Sequence, residues 1–129
     1  MAYTISIEAG YAHIVLLGSL TVFEVIEATH ELDKIEAERR FSYHRLVEIS
    51  GVENLHLDFS AVHQFASGRR SVKLWNKVRT AVVAKTTVQY GIARMFQLLN
   101  AQPQTEVDVF RDTASALGWI SERNEKVAG

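Results

Sequence analysis

The 129 residues carry 14 Lys and Arg against 15 Asp and Glu, a net charge of −1, with 47% hydrophobic content. That is one domain with a real core, and the near-neutral balance removes any bulk reason to bind nucleic acid or an acidic membrane. With no cysteine, disulfide frameworks and thiolate metal sites are excluded. The opening Met1-Ala2-Tyr3-Thr4-Ile5 lacks the basic start and apolar block of a secretory signal, and no apolar run is long enough to span a bilayer. The simplest expectation is a soluble cytoplasmic protein without an integral membrane segment.

In chain order, Tyr3, Ile5 and Ile7 alternate with polar residues, the period of a half-buried strand. Glu8 to Tyr11 reads as a tight turn and His13 to Leu17 as the returning strand, ended by Gly18-Ser19. Thr21 and Glu24 form a capping-box pattern that opens a helix running to about Arg39, with Val22, Val25, Ile26, Thr29 and Leu32 at helical spacing. Leu46 to Ile49 predicts a strand stopped by Ser50-Gly51, and Val52 to Leu57 a connection or an extended edge piece. A second helix is expected from Ser60 to about Arg79, kinked or broken at Ser67-Gly68 because its apolar stripe shifts there. Ala81 to Ala84 reads as a strand covered on both faces. Thr86 and Gln89 cap a third helix whose core face is Val88, Ile92, Met95, Phe96 and Leu99. Val107 and Val109 mark a last strand, and Asp112 caps a closing helix carrying Leu117, Trp119 and Ile120. Residues 1–121 are thus one α/β domain, and 122–129 a polar tail expected to fray. Strands separated by helices favour a mostly parallel sheet, made mixed by the opening hairpin.

This order, with Asp58-Phe59-Ser60-Ala61 at the start of the second helix, resembles the STAS domains, in particular the SpoIIAA-like (STAS/CRAL-TRIO-related) group of small bacterial proteins. Gly18-Ser19-Leu20-Thr21, Ile49-Ser50-Gly51-Val52, Ala93-Arg94-Met95-Phe96, Val109-Phe110-Arg111-Asp112 and Ala116-Leu117-Gly118-Trp119 are similar to the same pattern, from about Tyr3 to Ile120. The resemblance implies a mixed, mostly parallel sheet of about five strands flanked by about four helices. Anti-sigma factor antagonists of this superfamily carry Asp-Ser-Ser-Gly here and are phosphorylated on the second serine. Asp58 and Ser60 match the Asp and that serine, whereas Phe59 and Ala61 differ.

Four groups of residues bear on function. Asp58 and Ser60 sit where a side chain caps the second helix, and where a phosphate would meet the positive end of the helix dipole. Asp58, Ser60 and His63 include the residue types of a hydrolase triad, but without a G-x-S-x-G elbow or suitable spacing. Arg69, Arg70, Lys73, Lys77, Arg79 and Lys85 form a basic run without an intervening acid. It reads either as an interface for an acidic partner or lipid headgroup, or as a solvated face able to pair with the acidic first helix of a second copy. Trp75, Met95, Phe96 and Trp119 read either as plain core or as the lining of an apolar pocket, which the CRAL-TRIO relation implies. His13, His30, His44, His56 and His63 lack metal-ligand spacing, and no glycine-rich loop cradles a phosphate. No cofactor and no metal are expected. The expected function is therefore non-enzymatic: a regulatory or protein-interaction module, with a protein partner or a second copy. The alternative is a carrier or sensor of a lipid or other apolar small molecule.

Overall fold

A computed structural model describes residues 3–122; the fraying expected of 123–129 lies outside the described residues. In chain order the elements are β1 (Tyr3–Glu8), β2 (Tyr11–Thr21), α1 (Val22–Arg39), β3 (His44–His56), α2 (Phe59–Arg70), β4 (Val78–Val83), α3 (Thr87–Leu99), β5 (Thr105–Phe110) and α4 (Thr113–Ser121). The strands form one five-stranded sheet in the order β1-β2-β3-β4-β5. β1 pairs antiparallel with β2 through a tight turn in which Gly10 has φ +90°, and the other neighbours pair parallel. The expected mixed, mostly parallel sheet with four flanking helices is what forms.

Strands taken in sequential order with right-handed crossovers place their connecting helices on one face. Ala28 and Leu32 of α1 and Ala93 of α3 accordingly share a core with Ile14, Leu16, Ile49, Val82 and Val109 of the sheet. On the opposite face Ala116 and Ile120 of α4 pack on Leu46, Ala81 and Val83. The alternation along each strand assigns these sides: Leu46 and Ala81 are register partners under α4, whereas Val47 and Val82 are partners under the helical layer. Leu20, Leu32 and Leu46 are each at most 2% exposed, and burial of such a side chain contributes about 1.5–3 kcal/mol.

Three boundaries differ from the sequence reading. β2 and β3 continue past the glycines expected to end them, because Gly18 and Gly51 mark irregularities in the pairing and not its end. Gly18 has φ +68°, and a Cβ on Gly51 would stand 2.6 Å from Leu17 Cδ2. The helix expected to reach Arg79 stops at Arg70. The following segment is instead held by distant polar groups: Leu74 N donates to Gln104 Oε1 (3.0 Å), Trp75 N to Ser42 Oγ (3.0 Å), and Asn76 Oδ1 accepts from Ser42 N (2.8 Å). Val88, expected in the core, is 66% exposed; the buried residues of α3 are Gln89 and Ala93.

The caps are mixed in outcome. Thr86 and Gln89 form the reciprocal box, each accepting the other's backbone N–H at 3.1 Å. Asp112 caps α4 by accepting from Ser115 N at 2.7 Å. Thr21 caps nothing with its side chain, and its hydroxyl instead donates to Glu24 Oε1 at 2.9 Å.

One buried ion pair joins α1 to the start of β3. Glu36 (2% exposed) accepts from Arg45 Nη2 at 2.9 Å through one oxygen and from Tyr43 N at 2.9 Å through the other. Arg45 (6% exposed) also donates from Nη1 to the Tyr43 carbonyl at 2.6 Å. These bonds offset the cost of taking two charges out of water. Burial draws the Arg45 guanidinium below its ordinary range, and the Glu36 carboxylate opposes that shift. Replacing Glu36 with Ala strands the guanidinium and is expected to cost about 3–5 kcal/mol in urea unfolding. The double variant Glu36→Leu/Arg45→Leu should lose clearly less. Equal losses in the two would show that the pair does not act as a unit.

Candidate functional site

Between α1, α2, α3 and the sheet lies a partly open cavity of about 160 Å³. Its walls are apolar, and small side chains explain it: Ala28, Ala61 and Ala93 face it from the three helices. At these three positions the helices present only a methyl group toward the space over Leu16, Val47 and Val82, and the larger side chains around them do not close it. Phe65 of α2 and Phe96 of α3 stand side by side in the wall, ring centroids 5.5 Å apart.

Polar groups gather at the end of the cavity near the starts of β3, β4 and β5. Arg45, Arg69, Asn100, Gln102 and Gln104 all contribute to the lining. Arg69 bridges α2 to α1 with a two-point contact to Asp33, Nη1 to Oδ2 at 2.8 Å and Nη2 to Oδ1 at 3.2 Å. Gln104 Nε2 donates to the Val72 carbonyl at 2.6 Å and to Gln102 Oε1 at 2.8 Å, and Gln102 Nε2 donates to Asn100 Oδ1 at 3.1 Å.

The pocket expected from Trp75, Met95, Phe96 and Trp119 is not assembled from those four residues. Phe96 lines the cavity, and the other three do not. Trp75 is 53% exposed because it follows the early end of α2. Trp119 lies on the opposite face of the sheet, where α4 sets it against Phe110 (5.6 Å between centroids) and beneath the Arg79 guanidinium (5.1 Å). Met95 is half-buried on α3.

The basic run is also divided. Arg69 is paired with Asp33, and Arg70 donates from Nη1 to the Leu99 carbonyl at 2.7 Å. Lys73 and Lys77 are exposed beyond the helix, and Arg79 turns to the Trp119 carbonyl at 2.8 Å. A single cationic helix face therefore does not form.

Asp58 is the N-cap of α2, its Oδ1 accepting from Ala61 N at 2.8 Å. Ser60 is the second residue of the helix and is exposed, next to Phe59, which is 59% exposed and stacks on the exposed His63 with centroids 6.0 Å apart. Glu36, Arg45 and Gln104 were not anticipated in the sequence. For Glu36 the signal existed: Ala28, Leu32 and Glu36 follow one another at i+4 spacing down the buried face of α1.

A separate polar cluster occupies the α4 face. Glu48 accepts from Thr113 Oγ1 through Oε1 and bonds His13 Nε2 through Oε2, both at 2.5 Å, tying the first turn of α4 to β2 and β3. Among the described residues no group of three or more His, Asp or Glu could hold a metal ion. No helix among them is long and apolar enough to cross a membrane.

No protein-family model matches the sequence, and no curated protein matches it significantly. The structure is similar to that of an uncharacterized protein of the DUF3478 family from Shewanella loihica PV-4, described as having a SpoIIAA-like fold, with a TM-score of 0.60, 20% identity and 92% of each chain covered. The chain has a SpoIIAA-like fold. The five-stranded mixed sheet and the four helices agree with that fold.

Two titrations test the polar contacts outside the cavity. Burial, then the charges of Arg79 and Arg45, hold His44 below the ordinary imidazole range, in keeping with its Nδ1 accepting from Arg79 N at 2.9 Å. Burial alone would raise Glu48, but hydrogen bonds from Thr113 and His13 outweigh it and hold the carboxyl below its ordinary value of 4.5. Both groups have depressed folded values, so both contribute stability that is present above the unfolded value and lost as pH falls through the folded one. Unfolding free energy should therefore decline below the ordinary histidine value of 6.5 and again below 4.5. The second decline should shrink in Glu48→Gln. An acid limb identical in that variant and the parent would contradict the role given to Glu48.

Proposed function

We propose that this SpoIIAA-like domain is a non-enzymatic module that binds a small apolar molecule in the cavity beneath α1, α2 and α3. The observation that carries the reading is the cavity of about 160 Å³ with its apolar walls. An apolar cavity of about 150 Å³ is sufficient for one benzene, whereas drug-sized ligands occupy about 300–1,000 Å³. The occupant is thus the size of a single ring or a short alkyl group, well below a whole lipid. This reverses the order of the two readings drawn from the sequence, where the interaction module came first.

The interaction reading is supported by a different observation. Ser60 and Phe59 are exposed side by side on the first turn of α2, where the helix dipole favours an added phosphate. In this second reading Ser60 is a regulated recognition residue and Asp58 holds the turn that presents it. Intact-mass measurement of protein from its native cells tests it: a phosphorylated form that disappears in Ser60→Ala supports it, and its absence in every growth condition sinks it.

Thermal unfolding tests the ligand reading. Ethylbenzene at about ten times its dissociation constant contributes about 1.4 kcal/mol and should raise Tm by about 3–6 °C. Ala93→Leu, and independently Ala61→Leu on another helix, fill the space and should abolish that rise while the variants remain folded. A rise that survives in both folded variants would place the binding elsewhere.

A further inference from the structure

We infer that the occupant of the cavity is an uncharged molecule, and that the site discriminates against carboxylates and phosphates of the same size. The inference rests on the ligand reading of the cavity and specifies its chemistry. Two guanidiniums at the polar end of a largely apolar cavity invite the opposite conclusion, that an anionic head group is received there. The hydrogen bonds argue against it.

Each cation is already matched by a carboxylate. Arg45 is committed to Glu36 and to the Tyr43 carbonyl, and Arg69 to both oxygens of Asp33. The two positive and two negative charges cancel at that end of the cavity. The neutral polar groups are likewise engaged within the chain. Gln104 bonds Val72, Leu74 and Gln102; Gln102 bonds Asn100; Thr29 donates to the Ile26 carbonyl at 2.9 Å; and Thr80 and Thr105 share a bond at 3.4 Å. Among the described residues, no buried side-chain nitrogen or oxygen lacks a partner.

An entering anion meets no net positive charge there, because a carboxylate already neutralises each guanidinium. It can displace Glu36 or Asp33, which leaves that carboxylate unpaired in the protein, or it can share the remaining N–H groups of a guanidinium whose charge is already matched, with the neighbouring carboxylate repelling it. A third route is protonation. For a carboxylic acid of pKa near 4, entering as the neutral acid at about pH 7 weakens binding by roughly a thousandfold. A neutral molecule of the same shape carries none of these penalties. The polar end thus acts as a closed, self-satisfied rim that shapes the cavity and holds the helices.

The test compares ethylbenzene with benzoate, which have similar shape and differ in charge, by titration of the methyl NMR signals of the cavity's Ile, Leu and Val residues. Ethylbenzene should bind at least a hundredfold more tightly than benzoate at pH 7. The affinity for benzoate should rise about tenfold for each pH unit of acidification above its pKa, since only the neutral acid enters. Benzoate binding within tenfold of ethylbenzene at pH 7, with loss of that binding in Arg69→Gln, would overturn the inference while leaving the cavity a ligand site. If neither compound shifts the cavity methyls, the ligand reading fails and the inference fails with it.

Discussion

The structure depends on one topological constraint, the sequential order of its parallel strands. When β2, β3, β4 and β5 lie side by side in chain order, right-handed crossovers bring α1, α2 and α3 to the same face of the sheet. Only α4, released after β5, is free to reach the other face, where it covers Leu46, Ala81 and Val83. The two faces then differ in kind. The α4 face packs through a small apolar cluster and the Glu48 contacts, whereas the three-helix face must be filled by side chains from several elements at once. Alanines at the points where those helices turn inward leave it incompletely filled, and the cavity is the result.

Charge is handled in the same economical way. Glu36 and Arg45 bury opposite charges at the junction of α1 and β3, and Asp33 and Arg69 repeat the pairing one turn away, between α1 and α2. Together they link three elements around the polar end of the cavity without leaving a net charge inside it. The amide side chains of Gln102 and Gln104 complete that end by bonding each other and the segment after α2. Such satisfied polar groups hold a cavity open against collapse of the surrounding helices, since each would lose partners if the layer closed. That is the physical link between the fold and the proposed binding of a small neutral molecule.

Much of the fold was legible because the signals are local. Alternation gave β1, the capping pair Thr86 and Gln89 gave the start of α3, Asp112 gave that of α4, and the apolar run from Ala81 to Ala84, buried throughout, gave β4. The misreadings share a cause: partners distant in the chain override local preference. Arg70 ends α2 because Gln104 and Ser42 hold the residues after it, and neither partner is near in sequence. Gly18 and Gly51 look like strand ends but serve pairing irregularities between β2 and β3. The candidate site was less legible than the fold. Phe96 was found among the cavity residues, but Trp75 and Trp119 drew attention by size, while small alanines and buried charged groups define the site.

Binding of a small neutral guest requires the space beneath α1, α2 and α3 to be apolar and free of ordered water. Crystals of the protein pressurised with xenon test this directly, because xenon enters dry apolar cavities and avoids hydrated polar ones. Xenon density should appear between Ala28, Ala93 and Leu16, with the Glu36–Arg45 and Asp33–Arg69 contacts unchanged. Ordered water filling that space, hydrogen-bonded to Arg45 and Gln104 and excluding xenon, would contradict it.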